Sequence, residues 1–254
     1  MFIRTESFKD FLRFYPIVSI IVALQIGIWL IGMVIPPLGD IIMYFGRGDH
    51  TLIALGEYWR FITPIFLHSQ YSVGHIIFNS FALILFAPPL EQMLGRVRFI
   101  LLYLLAGTLA NVLTFIAIPT PYLHVGASGA VYGILGLYLF MIFFEKRFIS
   151  PSDSKLILII TVISFVMTFL RPNVNVLAHL FGLIAGFALG PILLKNAKPF
   201  SPWRQQSRRQ SKEAIPFDPN RWKKKRYRTQ TWIKPLIIGI FVLLVIIGIL
   251  SSWL

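Results

Sequence analysis

Long apolar runs, broken at intervals by proline, glycine and short charged clusters, dominate the chain. They cover residues 16–36, 73–90, 97–118, 127–144, 156–170, 174–194 and 235–254. A helix needs roughly 20 apolar residues to cross a bilayer, and most of these runs approach that length. Unbroken runs do not fit the two-residue alternation of a membrane barrel, so the pattern predicts seven helical spans. The breaks fall at Pro88-Pro89, Pro119-Thr120-Pro121, Pro151 and Arg171-Pro172. Proline there lacks the N–H that a continuing helix requires. The first run is too long for a signal-peptide core and no small-residue cleavage site follows it, so it reads as a retained helix.

Composition agrees with that pattern. Hydrophobic residues make up 56% of the 254 and charged residues only 13%, about half the charge of a soluble domain. The fold class expected is an all-α polytopic membrane protein. The chain has no cysteine, which excludes disulfides, thiol catalysis and thiolate metal sites. The formal charge of +14 could suggest nucleic acid, but thirteen of the 24 basic residues lie between Lys195 and Lys234. A basic cluster in one loop between two spans points to topology and membrane surface, not to nucleic acid.

The basic residues also orient the chain. With the N-terminus in the cytoplasm, 21 Lys and Arg fall on inner segments and three (Arg47, Arg60 and Arg171) on outer ones. That split predicts an N-in, C-out arrangement. In it the second, fourth and sixth spans all run inward from outside. His75 and Asn79 lie in the first turns of the second span, Ser128 in the first turn of the fourth, and His179 near the start of the sixth. The orientation used none of these residues, yet it collects all four at one leaflet. From Ser128 to Phe144 is 17 residues, about 25 Å of helix, against a hydrocarbon core of about 30 Å. The fourth span should therefore start below the outer surface, where irregular backbone survives only inside protein or a wet cavity.

Each polar residue has two readings. Ser128 could cap its helix or pack as a small residue. Alternatively, Gly126 and Gly129 leave its hydroxyl uncrowded as a nucleophile, with helix-start N–H groups ready to stabilise an oxyanion. His179 could simply bond a neighbouring helix. However, Gly182 and Gly186 extend a small-residue face that matches Gly129, Gly133 and Gly136, and close packing of two such faces would carry His179 to Ser128. Tyr132, one turn after Ser128, would lie against the imidazole. No span carries an interior Asp or Glu, so a Ser-His pair without an orienting carboxylate is expected. His75 and Asn79 share a helical face and could bridge helices or donate to a developing oxyanion. A metal site on His75 and His179 lacks a third ligand, and neither metal nor cofactor is expected.

These residues resemble the rhomboid family of intramembrane serine proteases over roughly residues 57–190. Trp59-Arg60, Leu67-His68, His75 to Asn79, Glu91, Gly95-Arg96 and Tyr103 follow the family's pattern. Gly126-Ala-Ser-Gly129 with Tyr132-Gly133 is similar to its nucleophile motif, and Ala178-His179 with Gly182 to its base motif. The resemblance implies Ser128 as nucleophile, His179 as base, and an oxyanion hole from His75, Asn79 and the Ser128 backbone N–H. It also implies a first outer loop lying partly in the membrane and a six-helix core. Within that core the fifth helix (156–170) and the loop after it (171–175) would gate lateral admission of substrate.

The expected organisation is a cytoplasmic segment (1–15), a six-helix catalytic core (16–194), a basic cytoplasmic loop (195–234) and a seventh helix (235–254), a six-plus-one plan. The expected activity is cleavage of single-span membrane proteins in or near the membrane, in a cell membrane, from the extracytoplasmic side. The run 221–228 could bind anionic lipid headgroups at about 1 kcal/mol per cation, or simply anchor its loop inside. Two other readings are a catalytically silent rhomboid-like chaperone or degradation adaptor, and a secondary transporter. The intact Ser and His disfavour the first, and the absence of intramembrane carboxylates disfavours the second.

Overall fold

The computed structural model describes residues 1–2, 6–118, 121–170 and 174–201. The seventh predicted span, and the basic loop from residue 202 onward, lie outside the described residues. The unit Met1–Phe200 is helical, with one two-stranded ribbon. Its elements are α1 (Phe8–Phe14), α2 (Pro16–Val34), α3 (Pro36–Gly46), β1 (Gly48–Asp49), α4 (His50–Ala54), α5 (Val73–Leu94), α6 (Arg96–Ala117), β2 (Leu123–His124), α7 (Ser128–Phe144), α8 (Pro151–Leu170), α9 (Val176–Ala188) and α10 (Gly190–Leu194). Helices α2, α5, α6 and α8 are long and apolar enough to cross a membrane, and α7 and α9 are shorter apolar helices.

Prolines account for most departures from the expected boundaries. Pro36-Pro37 ends the first predicted span, but it also starts α3, because the first turn of a helix needs no N–H from those positions. Pro151 likewise opens α8 five residues early, with the Ser150 hydroxyl accepting from the Asp153 N–H at 3.1 Å. Pro88-Pro89 does not end the second span: α5 runs through both to Leu94. Packing overrides the two missing donors there. Ala87 through Glu91 are buried, and the Glu91 carboxylate accepts from Ile17 N at 3.0 Å and Val18 N at 2.9 Å. Those are among the orphan donors at the start of α2, where Tyr15 offers no side-chain cap. The sixth predicted span, 174–194, is broken at Leu189 into α9 and α10, since Pro191 cannot continue the bonding.

Helix α7 is central, with buried residues all around its circumference from Gly129 to Tyr138, unlike the likewise apolar α8, which buries only Ile157, Thr161 and Thr168. It lies between α6 and α9 at close backbone distance. A Cβ added at Gly133 would strike Ala106 of α6, and one added at Gly182 or Gly186 would strike the Gly129 or Gly133 carbonyl. The two expected glycine faces do meet.

The first loop is an ordered structure with helices of its own. Arg60 is 1% exposed. It donates to the Tyr44 carbonyl at 2.8 Å and the Arg47 carbonyl at 2.9 Å, and pairs with Glu57. It thereby satisfies carbonyls at the C-terminal end of α3. Trp59 Nε1 donates to Phe45 O at 3.1 Å. Apolar side chains of α3, among them Ile41, Tyr44 and Phe45, remain exposed.

Candidate active site

The segment preceding α7 is held from the first loop at two points. Antiparallel β1 and β2 pair Gly48 with His124 and Asp49 with Leu123, and Gly126 N donates to Pro64 O at 2.9 Å. Irregular backbone here is thus bonded to protein. Gly126 has φ +132°, and a Cβ on it would lie 2.6 Å from His75 Nε2 and 3.8 Å from Ser128 Oγ. Glycine is required for both reasons: the left-handed backbone and the space taken by the imidazole. The same geometry brings His75 of α5 to the mouth of α7.

Ser128 is the first residue of α7, and the cap position belongs to Ala127, which offers no side-chain bond. Ser128 is therefore not spent on capping its own helix. Asn175, by contrast, caps α9 by accepting from Ala178 N at 2.9 Å. On α9, Ala178 backs directly onto Gly129: a Cβ at 129 would sit 3.5 Å from the Ala178 carbonyl. Ser128 and His179, the chain neighbours of that pair, flank the contact. His179 is buried and its ring stacks on Tyr132, with centroids 4.3 Å apart and planes 20° apart. Tyr132 thus holds the expected place against the imidazole.

Two details were not anticipated. Thr168 of α8 lies with its hydroxyl 2.9 Å from His179 Nδ1 and 3.1 Å from the Tyr132 hydroxyl. Asn79, expected to donate toward substrate, gives a proton from Nδ2 to the His75 carbonyl at 2.9 Å. An amide nitrogen has two protons, so one remains for other use. The Thr168 signal in the sequence was a polar stripe, Thr161, Ser164 and Thr168, at helical spacing on an otherwise apolar span.

A family model described as Rhomboid domain matches residues 55–196. The chain is 44% identical over 191 residues to the rhomboid-family protein YdcA of Bacillus subtilis, covering 74% of this chain and 94% of that protein. It is 35% identical to the Rhomboid protease GluP of the same organism, over 58% of this chain but only 28% of GluP. Identity to Rhomboid-like protease 1 of Toxoplasma gondii is 26%, over 74% and 69% of the two chains. The chain belongs to the rhomboid family. It is a multi-pass membrane protein of that family, and the matched span nearly coincides with the one its motifs suggested.

Loop histidines of this rhomboid chain carry a pH dependence. Burial pushes His68 down to about 3, helped by the nearby His75. It pushes His124 down to about 4, helped by His50. Both therefore stay neutral in the fold while the unfolded chain takes up protons below its ordinary histidine value near 6.5. The stability they contribute is complete above pH 6.5 and is lost as pH falls toward 4. The thermal midpoint in detergent should drop over that window, and His124→Asn should flatten the drop. A midpoint independent of pH between 6.5 and 4 would contradict this reading.

Proposed function

We propose that this rhomboid chain is an intramembrane serine endopeptidase that cuts membrane proteins in or beside their transmembrane segments. The observation that carries the proposal is the meeting of α7 and α9 through Gly129, Gly133, Gly182 and Gly186, with Tyr132 stacked on His179 one turn beyond Ser128. Family membership, with relatives named as proteases, supports the same reaction class.

In this reading His179 takes the Ser128 proton as the hydroxyl attacks the scissile carbonyl. The negative charge forming on that carbonyl oxygen is met by His75, by the second Nδ2 proton of Asn79 and by the Ser128 backbone N–H, which is unpaired at the helix start. The imidazolium then protonates the leaving amine, and water hydrolyses the acyl-enzyme with His179 again as base. The chemistry uses no metal or cofactor. Topology follows the six-plus-one plan, N-in and C-out: segment 1–15, core 16–194, basic loop 195–234 and seventh helix 235–254. The site opens to the extracytoplasmic side of a cell membrane, and the basic run 221–228 serves as an inside anchor for its loop or as a ligand of anionic headgroups.

The test is reconstitution in liposomes with a panel of single-span membrane proteins. Cleavage within or next to the span that stops in Ser128→Ala supports the proposal. Cleavage that continues at the parent rate in Ser128→Ala refutes it.

A further inference from the structure

We propose that Thr168 is a positioning residue that holds His179 in the tautomer protonated at Nδ1, leaving Nε2 as the basic nitrogen. This rests on the reading of His179 as base. The warrant is an inventory of protons. The Thr168 hydroxyl has three partners: the Ser164 carbonyl at 3.1 Å, the Tyr132 hydroxyl at 3.1 Å and His179 Nδ1 at 2.9 Å. A carbonyl oxygen can only accept, so the bond to Ser164 uses the single Thr168 proton. The hydroxyl oxygen then has two lone pairs for two donors, Tyr132 O–H and His179 Nδ1–H. All three contacts are hydrogen bonds in that arrangement. If Thr168 instead gave its proton to Nδ1, the Ser164 bond would be lost and two would remain. Worse for the reaction, Nε2 would carry the other proton and could take none from serine.

Two groups divide the work of fixing the ring. The Tyr132 face, stacked at 4.3 Å, sets the plane of the imidazole. A stack cannot tell one nitrogen from the other, and the Thr168 oxygen does that. Where a carboxylate usually sits behind a catalytic histidine, this chain supplies a neutral hydroxyl. As Ser128 Oγ loses its proton to Nε2, the ring becomes a cation and its Nδ1–H bond to Thr168 becomes charge-assisted and stronger. The bond to the Ser164 carbonyl polarises the Thr168 oxygen for that role.

The tie also reaches a loosely seated helix. Among its described residues α8 buries only Ile157, Thr161 and Thr168, so the Thr168 hydroxyl is one of few contacts that bring α8 to the site. Alignment of the base therefore depends on how the C-terminal end of α8 is seated.

The experiment uses the full chain labelled with 15N-histidine in detergent micelles, with His179 assigned by its loss in His179→Asn. The parent should show a protonated Nδ1 and an unprotonated Nε2 at neutral pH. Thr168→Ser should keep that pattern and the parent rate. Thr168→Val should mix the tautomers and lower kcat by about 10- to 100-fold at unchanged KM, the range seen when the hydrogen-bond partner orienting a metal-ligating histidine is removed. Ser128→Ala should lose proteolysis yet keep the parent tautomer, which separates this inference from the proposed activity. The positioning role is overturned by a parent His179 protonated at Nε2, or by Thr168→Val with parental tautomer and kcat. Should Thr168→Val not fold, the parent spectrum and Thr168→Ser still decide.

Discussion

The double variant Ser128→Ala/His179→Ala is expected to cleave no more slowly than either single variant. Each single change should lower kcat by about 10⁴- to 10⁶-fold, and combining them should add almost nothing. The reason is that a nucleophile and its base act as one unit. Once the hydroxyl is gone the imidazole has no proton to take, and once the imidazole is gone the hydroxyl stays protonated. What remains in all three variants is the oxyanion-stabilising set and whatever substrate binding the fold retains. Steady-state cleavage of one single-span substrate in liposomes reads this directly. Losses that multiply in the double variant would mean that Ser128 and His179 contribute separately, and the proposed partnership would fail.

Gly186→Ala and Gly182→Ala should be among the most damaging single-methyl changes in the core, alongside Gly136→Ala, whose added Cβ would meet the backbone of Leu183 and Phe187. A Cβ at Gly186 would lie 2.7 Å from Gly133 Cα, besides striking that residue's carbonyl oxygen, and one at Gly182 would lie 3.2 Å from Gly129 Cα. These obstacles are backbone and cannot swing aside as a side-chain tip would, so α7 and α9 must separate. Overpacking of this kind costs about 1–3 kcal/mol, and a backbone obstacle puts the cost toward the upper figure. The same separation moves His179 away from Ser128, and a misplacement of about 1 Å can cost on the order of 100-fold in rate. Gly27, where an added Cβ meets nothing within 4 Å, supplies the control: Gly27→Ala should stay within about 0.5 kcal/mol of the parent. Thermal unfolding in detergent and cleavage rates at a temperature where all variants are folded measure both effects. Gly186→Ala with parental stability and rate would contradict the packing of the two helices.

The polar residues of the candidate site were legible because lipid leaves them so few explanations. Ser128, His179 and His75 stand out from apolar runs, and the shared end of three spans follows from charge counts that ignore them. Tyr132 was legible from its place one turn after Ser128, and Gly182 and Gly186 from their spacing. Thr168 was not, because hydroxyls along an apolar span, Thr161, Ser164 and Thr168 alike, can each bond their own helix, as Thr168 also does here through the Ser164 carbonyl. Proline was the least readable signal. The same residue type opens α3 and α8, lies inside α5 and breaks α9 from α10, and the outcome depends on packing partners far away in sequence. Glu91, reaching 73 positions back to Val18 N, is one such partner. The two-residue ribbon of β1 and β2 is too short for any periodicity to announce, yet it helps fix the segment that delivers Gly126 and Ser128.

The central claim is that the Ser128 hydroxyl is activated as a nucleophile by His179. Its most direct measurement is reaction of the purified protein with a fluorophosphonate, followed by mass spectrometry of the adduct. The account predicts one phosphonylated residue, Ser128, with labelling abolished in Ser128→Ala and strongly slowed in His179→Ala. Equal labelling of the parent and Ser128→Ala, or an adduct on a different serine, would contradict it.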